Sequence, residues 1–240
     1  MPILPAAARA VALALALAGP GTAQAESEVA AFDFYVSGIP VGKMSLDTTR
    51  TDTSYTSRSR IEAAGVVGML LTFYYDGQSS GKIAGDGTIV PVRFEAHSKT
   101  PRTDRRSAID WKDGAPVTVK VNPPRKKAPD PAKQAGTLDP ISAAFAILRD
   151  RPGAELCDET LMVFDGSRVS RLRLDPPVVD GDTITCVGNY ARIEGEAHTL
   201  SSQREFPFEL VFARQPNGDG RLERIQTDTS FGRAVLERRS

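Results

Sequence analysis

The side chains with the most distinctive chemistry in this chain are two cysteines, Cys157 and Cys186, and two histidines, His97 and His198. In an oxidising compartment an isolated pair of cysteines usually forms a disulfide, so we predict that Cys157 and Cys186 are joined. A zinc ion needs three or four nitrogen, sulfur or oxygen ligands at suitable spacing, and neither histidine has such a neighbour in the sequence. We therefore expect no bound metal and no cofactor.

The two histidines leave two functional classes open, an enzyme and a non-enzymatic protein. H-E-x-x-H and the phosphate-binding loop are absent from the chain. A Ser-His-Asp set is recognised by geometry and can be assembled from distant segments. A periplasmic hydrolase that acts on envelope polymers, with its site near His97 or His198, is thus the alternative to a non-enzymatic protein. No catalytic residue is assigned.

The first 25 residues have the features of a cleaved secretory leader. Arg9 is the early positive charge, residues 10–18 are apolar but too few to span a bilayer, and Ala23-Gln24-Ala25 is a cleavage site. We predict a mature chain that begins at Glu26, lies in the periplasm and has no transmembrane segment. No cysteine follows the cleavage site, so we expect no lipid anchor there.

The charge balance excludes one class of partner. The full chain has 30 basic and 30 acidic residues, and the leader contains one arginine and no acid, which leaves a mature net charge of −1. Nucleic-acid binding requires a strongly basic field, so no nucleic-acid partner is expected. Residues 26–240 are predicted to form a single β-rich domain, because no linker divides them.

Most of the mature chain alternates between apolar and polar residues, which predicts half-buried strands. Phe32 and Phe34 belong to the first strand, a turn is predicted over Gly38–Gly42, and residues 43–49 return as its hairpin partner. Asp-Gly and Asn-Gly pairs, including Asp76-Gly77, supply the positive φ angles of tight turns. Further strands are predicted at 53–63, 72–84, 89–98, 104–112, 116–122, 158–165, 168–174, 183–194, 206–215, 221–229 and 231–238.

One segment of the mature chain is convincingly helical, at about residues 139–149. Asp139 can cap the first turn, and Pro140 suits the first helical position because it has no N–H to leave unpaired. An apolar stripe follows at spacings of three and four residues, formed by Ile141, Ala144, Phe145 and Leu148.

These elements predict a mainly β fold with a strongly curved antiparallel sheet, a half-barrel or spiral, because a large sheet must curl to hide its edges. The helix at about 139–149 is expected to pack in the concavity of the sheet. The proline-rich stretch 122–137 is predicted to be either an exposed connection or a functional lid.

Several phenylalanines are candidates for an apolar ligand-binding groove. Core packing is the simpler interpretation of such stripes, and a groove between the curved sheet and the helix is the alternative. The candidate ligand-binding residues are Phe32, Phe34, Phe145, Phe206, Phe208 and Phe212.

Three stretches resemble the domain of unknown function 3108 family. They are Phe34–Gly42, Asp139–Ala143, and Cys157 with the following Val163–Arg168. The resemblance implies an exported protein of Gram-negative bacteria, and its motifs specify turns, a helix cap and a cysteine rather than a reaction. The outline is also similar to periplasmic envelope-integrity factors with a spiral β-sheet and one disulfide, and more distantly to lipoprotein-carrier half-barrels. We therefore expect a non-enzymatic protein that supports envelope integrity by binding a lipid, an acylated chain or an envelope protein. A purely structural scaffold is a further alternative.

Overall fold

A computed structural model describes residues 25–65, 68, 72–195, 203–229 and 231–239. His198 and residues 1–24 of the predicted leader lie outside these residues. The described part contains fifteen strands and one α-helix, α1 (Pro140–Leu148). The strands are β1 (Glu26–Val36), β2 (Ile39–Arg50), β3 (Ser54–Ala63), β4 (Tyr74–Ile83), β5 (Ile89–Thr100), β6 (Thr103–Lys112), β7 (Ala115–Asn122), β8 (Arg151–Pro152), β9 (Glu159–Phe164), β10 (Arg168–Leu174), β11 (Val178–Asp180), β12 (Thr183–Gly195), β13 (Glu205–Arg214), β14 (Asp219–Thr229) and β15 (Gly232–Arg238).

The strands form one antiparallel sheet. Its order is β7-β6-β5-β4-β3-β2-β1-β15-β14-β13-β12-β10-β9, with β11 paired to β12 and β8 paired to β14. Nearly every neighbour in space is thus a neighbour in sequence, as a meander of hairpins requires. The prediction of a large antiparallel sheet with one helix is confirmed.

Two turn predictions need correction. The first hairpin turns at Ser37 and Gly38, both with positive φ, so β2 begins immediately afterwards instead of following a turn over residues 38–42. Asp76-Gly77 is not a turn at all, because both residues lie inside β4. Gly77 is needed there for another reason: a Cβ at this position would lie 2.8 Å from Cδ1 of Ile141 in the helix.

The sheet does not close into a barrel, but the chain before the helix connects its two edge strands. The N–H of Gly136 donates to the carbonyl of Gly114 in the β6–β7 turn at 2.8 Å. The N–H of Leu138 donates to Met162 of β9, and the N–H of Phe164 donates to Leu138, both at 2.8 Å. The end of the 122–137 segment is therefore held between β7 and β9.

The core fills the concave side of the curved sheet, where the helix lies. Five phenylalanines from both halves of the sheet and from the helix are fully buried there: Phe32, Phe94, Phe145, Phe164 and Phe212. Among the described residues, no helix is long and apolar enough to cross a membrane.

Candidate functional site: an apolar cleft beside the buried helix

The N-terminus of α1 is fixed to β4 by a buried carboxyl group. Asp139 is fully buried, and its Oδ1 accepts hydrogen bonds from the N–H groups of Ile141 and Ser142, both at 2.9 Å. Its Oδ2 accepts a hydrogen bond from Ser79 Oγ of β4 at 2.8 Å and another from Ser142 Oγ. Burial raises the pKa of Asp139, although the hydrogen bonds from Ser142, Ser79 and Ile141 act in the opposite direction.

A second contact holds the same side of the helix against β3. The rings of Tyr55 and Phe145 are stacked with their centroids 5.0 Å apart, and the Tyr55 hydroxyl lies 2.6 Å from Ser142 Oγ. Burial, together with the nearby Asp139 carboxylate, raises the pKa of Tyr55 well above its ordinary value. These contacts fix both the position and the rotation of α1.

Sequence reasoning missed a motif at this contact. The run Gly77-Gln78-Ser79-Ser80-Gly81 fits the pattern G-x-S-x-G, and Ser79 with Lys82 fits S-x-x-K. A nucleophile elbow requires a sharp strand-to-helix turn with an exposed serine. Ser79 instead lies in the middle of β4, is fully buried and donates to Asp139. The glycines serve packing, since a Cβ at Gly81 would lie 2.7 Å from the Tyr55 hydroxyl.

The opposite side of the helix faces an apolar cleft. Pro140, Ala143, Ala144, Ile147 and Leu148 line it, at the three- and four-residue spacing of one helix face. The sheet contributes Val163, Leu172, Tyr190, Phe208, Leu210 and Ile225. The cleft has a volume of about 190 Å³. Its lining comes from four neighbouring strands, from β10 across to β14, and from β9 at one side.

The structure places the six candidate phenylalanines in different surroundings. Phe208 lines the cleft. Phe32, Phe145 and Phe212 are fully buried in the core, and Phe34 and Phe206 are half-buried outside the cleft lining. The helix residues Ala143 and Ala144, which leave room for the cleft, were not predicted as ligand contacts.

Among the described residues that line the cleft, only Tyr190 has a polar side-chain group. Burial raises the pKa of its hydroxyl, and the Ser170 hydroxyl beside it acts in the opposite direction. The aromatic ring and the hydroxyl of Tyr190 therefore mark the boundary between the apolar cleft and a more polar interior region on β10 and β12.

The predicted disulfide between Cys157 and Cys186 is present in the structure. Their Cα atoms are 5.4 Å apart, and both residues are buried. Cys157 lies just before β9 and Cys186 lies in β12. The bond therefore attaches the segment that follows the helix to the middle of the sheet, close to the strands that line the cleft.

His97 lies away from the cleft, in a polar groove on the outer face of β3 to β7. Its Nε2 is 2.7 Å from Asp104 Oδ1, and its Nδ1 is 2.9 Å from the hydroxyl of Tyr74. The hydrogen bond from His97 lowers the pKa of Asp104. Two other charged side chains of the groove, Arg58 and Asp76, form an ion pair at 2.9 Å.

This outer groove has a volume of about 650 Å³, and its lining mixes both signs of charge. Both ring nitrogens of His97 face a carboxylate or a hydroxyl, which is a satisfied arrangement for a strand-face histidine. Among the described residues, no three His, Cys, Asp or Glu side chains are close enough to bind a metal ion.

Comparison with known proteins places the chain in a family. The profile described as "Protein of unknown function (DUF3108)" matches residues 31–238, which is most of the chain. The chain belongs to this family. One solved structure that is similar to this DUF3108 protein is described as a beta-barrel-like protein of domain of unknown function DUF1849 from Brucella abortus. The two are 16% identical, with 88% of this chain and 95% of that chain covered and a TM-score of 0.49. No curated protein matches the sequence.

Proposed function

We propose that this DUF3108 protein is a non-enzymatic periplasmic protein that binds one acyl chain of an envelope lipid in the cleft beside α1, and that it supports envelope integrity in this way. The observation that carries the proposal is the cleft lining: apart from the Tyr190 hydroxyl, it consists of aliphatic and aromatic side chains. Contact with an apolar ligand removes such surface from water, which is favourable in proportion to the area covered.

The dimensions of the cleft favour a chain over a compact ligand. Leu172 on β10 and Ile225 on β14 are separated by three strand spacings, roughly 14 Å at about 4.8 Å per strand. An apolar cavity of about 150 Å³ is large enough for a benzene molecule. At about 190 Å³ the cleft therefore suits a narrow apolar segment, and it is smaller than the usual site for a whole drug-sized ligand.

The predicted periplasmic location of the protein supports the same ligand class. The predicted leader and the disulfide are typical of an exported protein, and envelope lipids and acylated proteins are available in that compartment. The helix is held by its polar and aromatic side against β3 and β4, so an occupant of the cleft would meet a rigid wall formed by Ala143 and Ala144. Binding in a preformed site avoids the entropy cost of ordering protein side chains around the ligand.

Native mass spectrometry with lipid extraction, on protein purified from its own periplasm, tests the proposal. We expect a bound acyl species on the wild type and on Val117→Phe, which adds a large apolar side chain at an exposed position of β7. Ala144→Phe should remove the bound species, because its ring would occupy the cleft. A wild-type mass without any acyl species would contradict the proposal and favour a scaffold that recognises other envelope proteins.

A further inference from the structure

A buried arginine, Arg192, lies next to the cleft and has no counter-ion among the described residues. Arg192 on β12 is only 9% exposed. In the part of the chain that the structure describes, no group accepts a hydrogen bond from its Nη1, which is buried. A guanidinium removed from water normally has an anion or several acceptors around it, because an unpaired buried charge is strongly unfavourable.

The sheet register places Arg192 at one end of the cleft. Arg192 lies directly opposite Ser170 on β10, and Ser170 lies opposite Val163 on β9. Val163 lines the cleft, as does Tyr190, which precedes Arg192 by two residues on the same face of β12. Two residues along a strand correspond to about 6.6 Å. The backbone position that carries the guanidinium is therefore next to the residues that line the cleft.

Among the described residues, the polar groups near Arg192 do not hydrogen-bond its Nη1. Ser170 Oγ is buried and makes no hydrogen bond of normal geometry, although it is near enough to Tyr190 to influence that hydroxyl. Glu194, two residues further along β12, is exposed, and Asp165 in the turn between β9 and β10 is already engaged by Arg168 at 3.3 Å. Asp165 also accepts hydrogen bonds from the N–H groups of Ser167 and Arg168, both at 2.7 Å.

We propose that Arg192, together with the Ser170 hydroxyl, binds the anionic headgroup of a single-chain amphiphile whose chain occupies the cleft. This inference rests on the proposed function, and it specifies the ligand as a carboxylate or phosphate amphiphile. An oxyanion accepts well from a guanidinium, which can donate two parallel hydrogen bonds, and a hydroxyl donor adjacent to it completes the site.

The order of groups along the surface fits such a ligand. The anionic end would be held at Arg192 on β12, and the chain would pass Tyr190 and Leu172 towards Leu210 and Ile225. A neutral amphiphile with the same chain would make the same apolar contacts and leave the guanidinium unpaired. The charge is therefore the group that discriminates between ligands of equal chain length.

Isothermal titration calorimetry at pH 8 with sodium dodecanoate, monododecyl phosphate and 1-dodecanol, all below their aggregation concentrations, tests the inference. We expect the wild type to bind at least one of the two anions at least tenfold more tightly than the alcohol. A preference for dodecanoate would indicate a fatty-acid source, and a preference for the phosphate would indicate a phospholipid headgroup.

Arg192→Gln should reduce the preference for the anion to less than twofold while alcohol binding is retained. The matched control is Arg171→Gln, an exposed arginine on the outer face of β10, which should keep the preference. Arg192→Lys keeps the positive charge and should retain most of the preference for the anion. The inference is therefore testable even if Arg192→Gln does not fold.

Two negative outcomes are distinguishable. Equal wild-type affinity for the alcohol and both anions, or an unchanged preference in Arg192→Gln, would overturn the role of Arg192 and leave acyl binding intact. Failure of the wild type to bind any of the three probes would overturn the proposed function itself, and this inference with it.

Discussion

The hydroxyl of Tyr55 lies 2.6 Å from Oγ of Ser142, and this contact connects strand β3 to the only α-helix of the described residues. The same hydroxyl of Ser142 donates to Asp139, and the ring of Tyr55 stacks on Phe145. All these anchors are on one side of the helix. The opposite side, with its alanines, therefore remains available to form the wall of a cleft.

Phe145→Ala is expected to lower the free energy of unfolding by about 3–5 kcal/mol, the usual cost of truncating a core phenylalanine. Phe145 is fully buried and loses both its packing and its stacking on Tyr55 in this variant. Urea unfolding followed by circular dichroism measures the change. Phe231→Ala is the matched control, since Phe231 is 82% exposed and its loss should matter little. A loss below about 1 kcal/mol for Phe145→Ala would mean that the helix is peripheral.

The buried carboxyl of Asp139 should make stability depend on pH. Its folded-state pKa is raised, mainly by burial, so the native state holds this proton to a higher pH than the unfolded chain does. The stabilising contribution is full below the unfolded pKa of about 3.9 and is lost as the pH rises through the folded pKa. Asp139→Asn removes this titration but keeps an oxygen that can cap the helix.

We therefore expect the stability of the wild type, relative to Asp139→Asn, to fall as the pH rises from about 3.9, where a free aspartate titrates. Urea unfolding of both proteins at a series of pH values measures the difference. Asp130→Asn is the control, because Asp130 caps the exposed 3₁₀ turn Pro131–Lys133 in the same manner without burial. A difference that stays constant with pH, or that rises, would contradict a raised pKa of Asp139.

How much of this molecule can be predicted from its sequence differs between the fold and the site. Alternation of apolar residues predicts the longer strands to within about two residues, except for the start of β2, and the pair Asp139-Pro140 predicts the start of the helix, because these signals are local. Alternation also identifies which face of a strand is apolar. It does not reveal whether that face meets the core or a cleft, so Phe212 and Phe208 are indistinguishable in the sequence although only Phe208 lines the cleft.

The charged end of the site was not predictable for a related reason. Arg192 follows Tyr190 by two residues and lies opposite Ser170 in the regular part of the β10–β12 ladder, so both side chains are on the inward face. Arginine is rarely buried, and no local signal in the sequence indicates that this one is. Its burial is evident only once the strands are paired.

The Cys157–Cys186 disulfide should be formed in protein isolated from the periplasm and should contribute about 3 kcal/mol to stability on the chain-entropy model. Mass spectrometry with and without reductant is expected to show a gain of two hydrogens only after reduction. Urea unfolding of Cys157→Ser/Cys186→Ser then measures the contribution. Two free thiols in the unreduced sample would refute the bond, and an unchanged unfolding midpoint in the double variant would refute its stabilising role.

Replacing both histidines by alanine should leave function intact if the protein is not an enzyme. The ring nitrogens of His97 are hydrogen-bonded to Asp104 and Tyr74 on the outer face, remote from the cleft. Complementation of a deletion strain by His97→Ala/His198→Ala is expected to equal that of the wild type. Loss of complementation by a variant that is still folded and still abundant would favour the histidine-dependent hydrolase.

Gly188→Ala should alter the cleft directly, because a Cβ at this position has no room. It would lie 2.5 Å from the ring of Phe208 and 2.8 Å from Leu174. The Phe208 ring must then shift from its place in the cleft lining, at a stability cost of about 1–3 kcal/mol for an overpacked site. We expect thermal unfolding to show a lower midpoint and calorimetry to show weaker binding of both dodecanoate and 1-dodecanol.

Gly85→Ala, where a Cβ meets nothing within 4 Å, is the control and should change neither the unfolding midpoint nor the binding. Reduced stability with unchanged binding of both probes would mean that Phe208 does not form part of the ligand site.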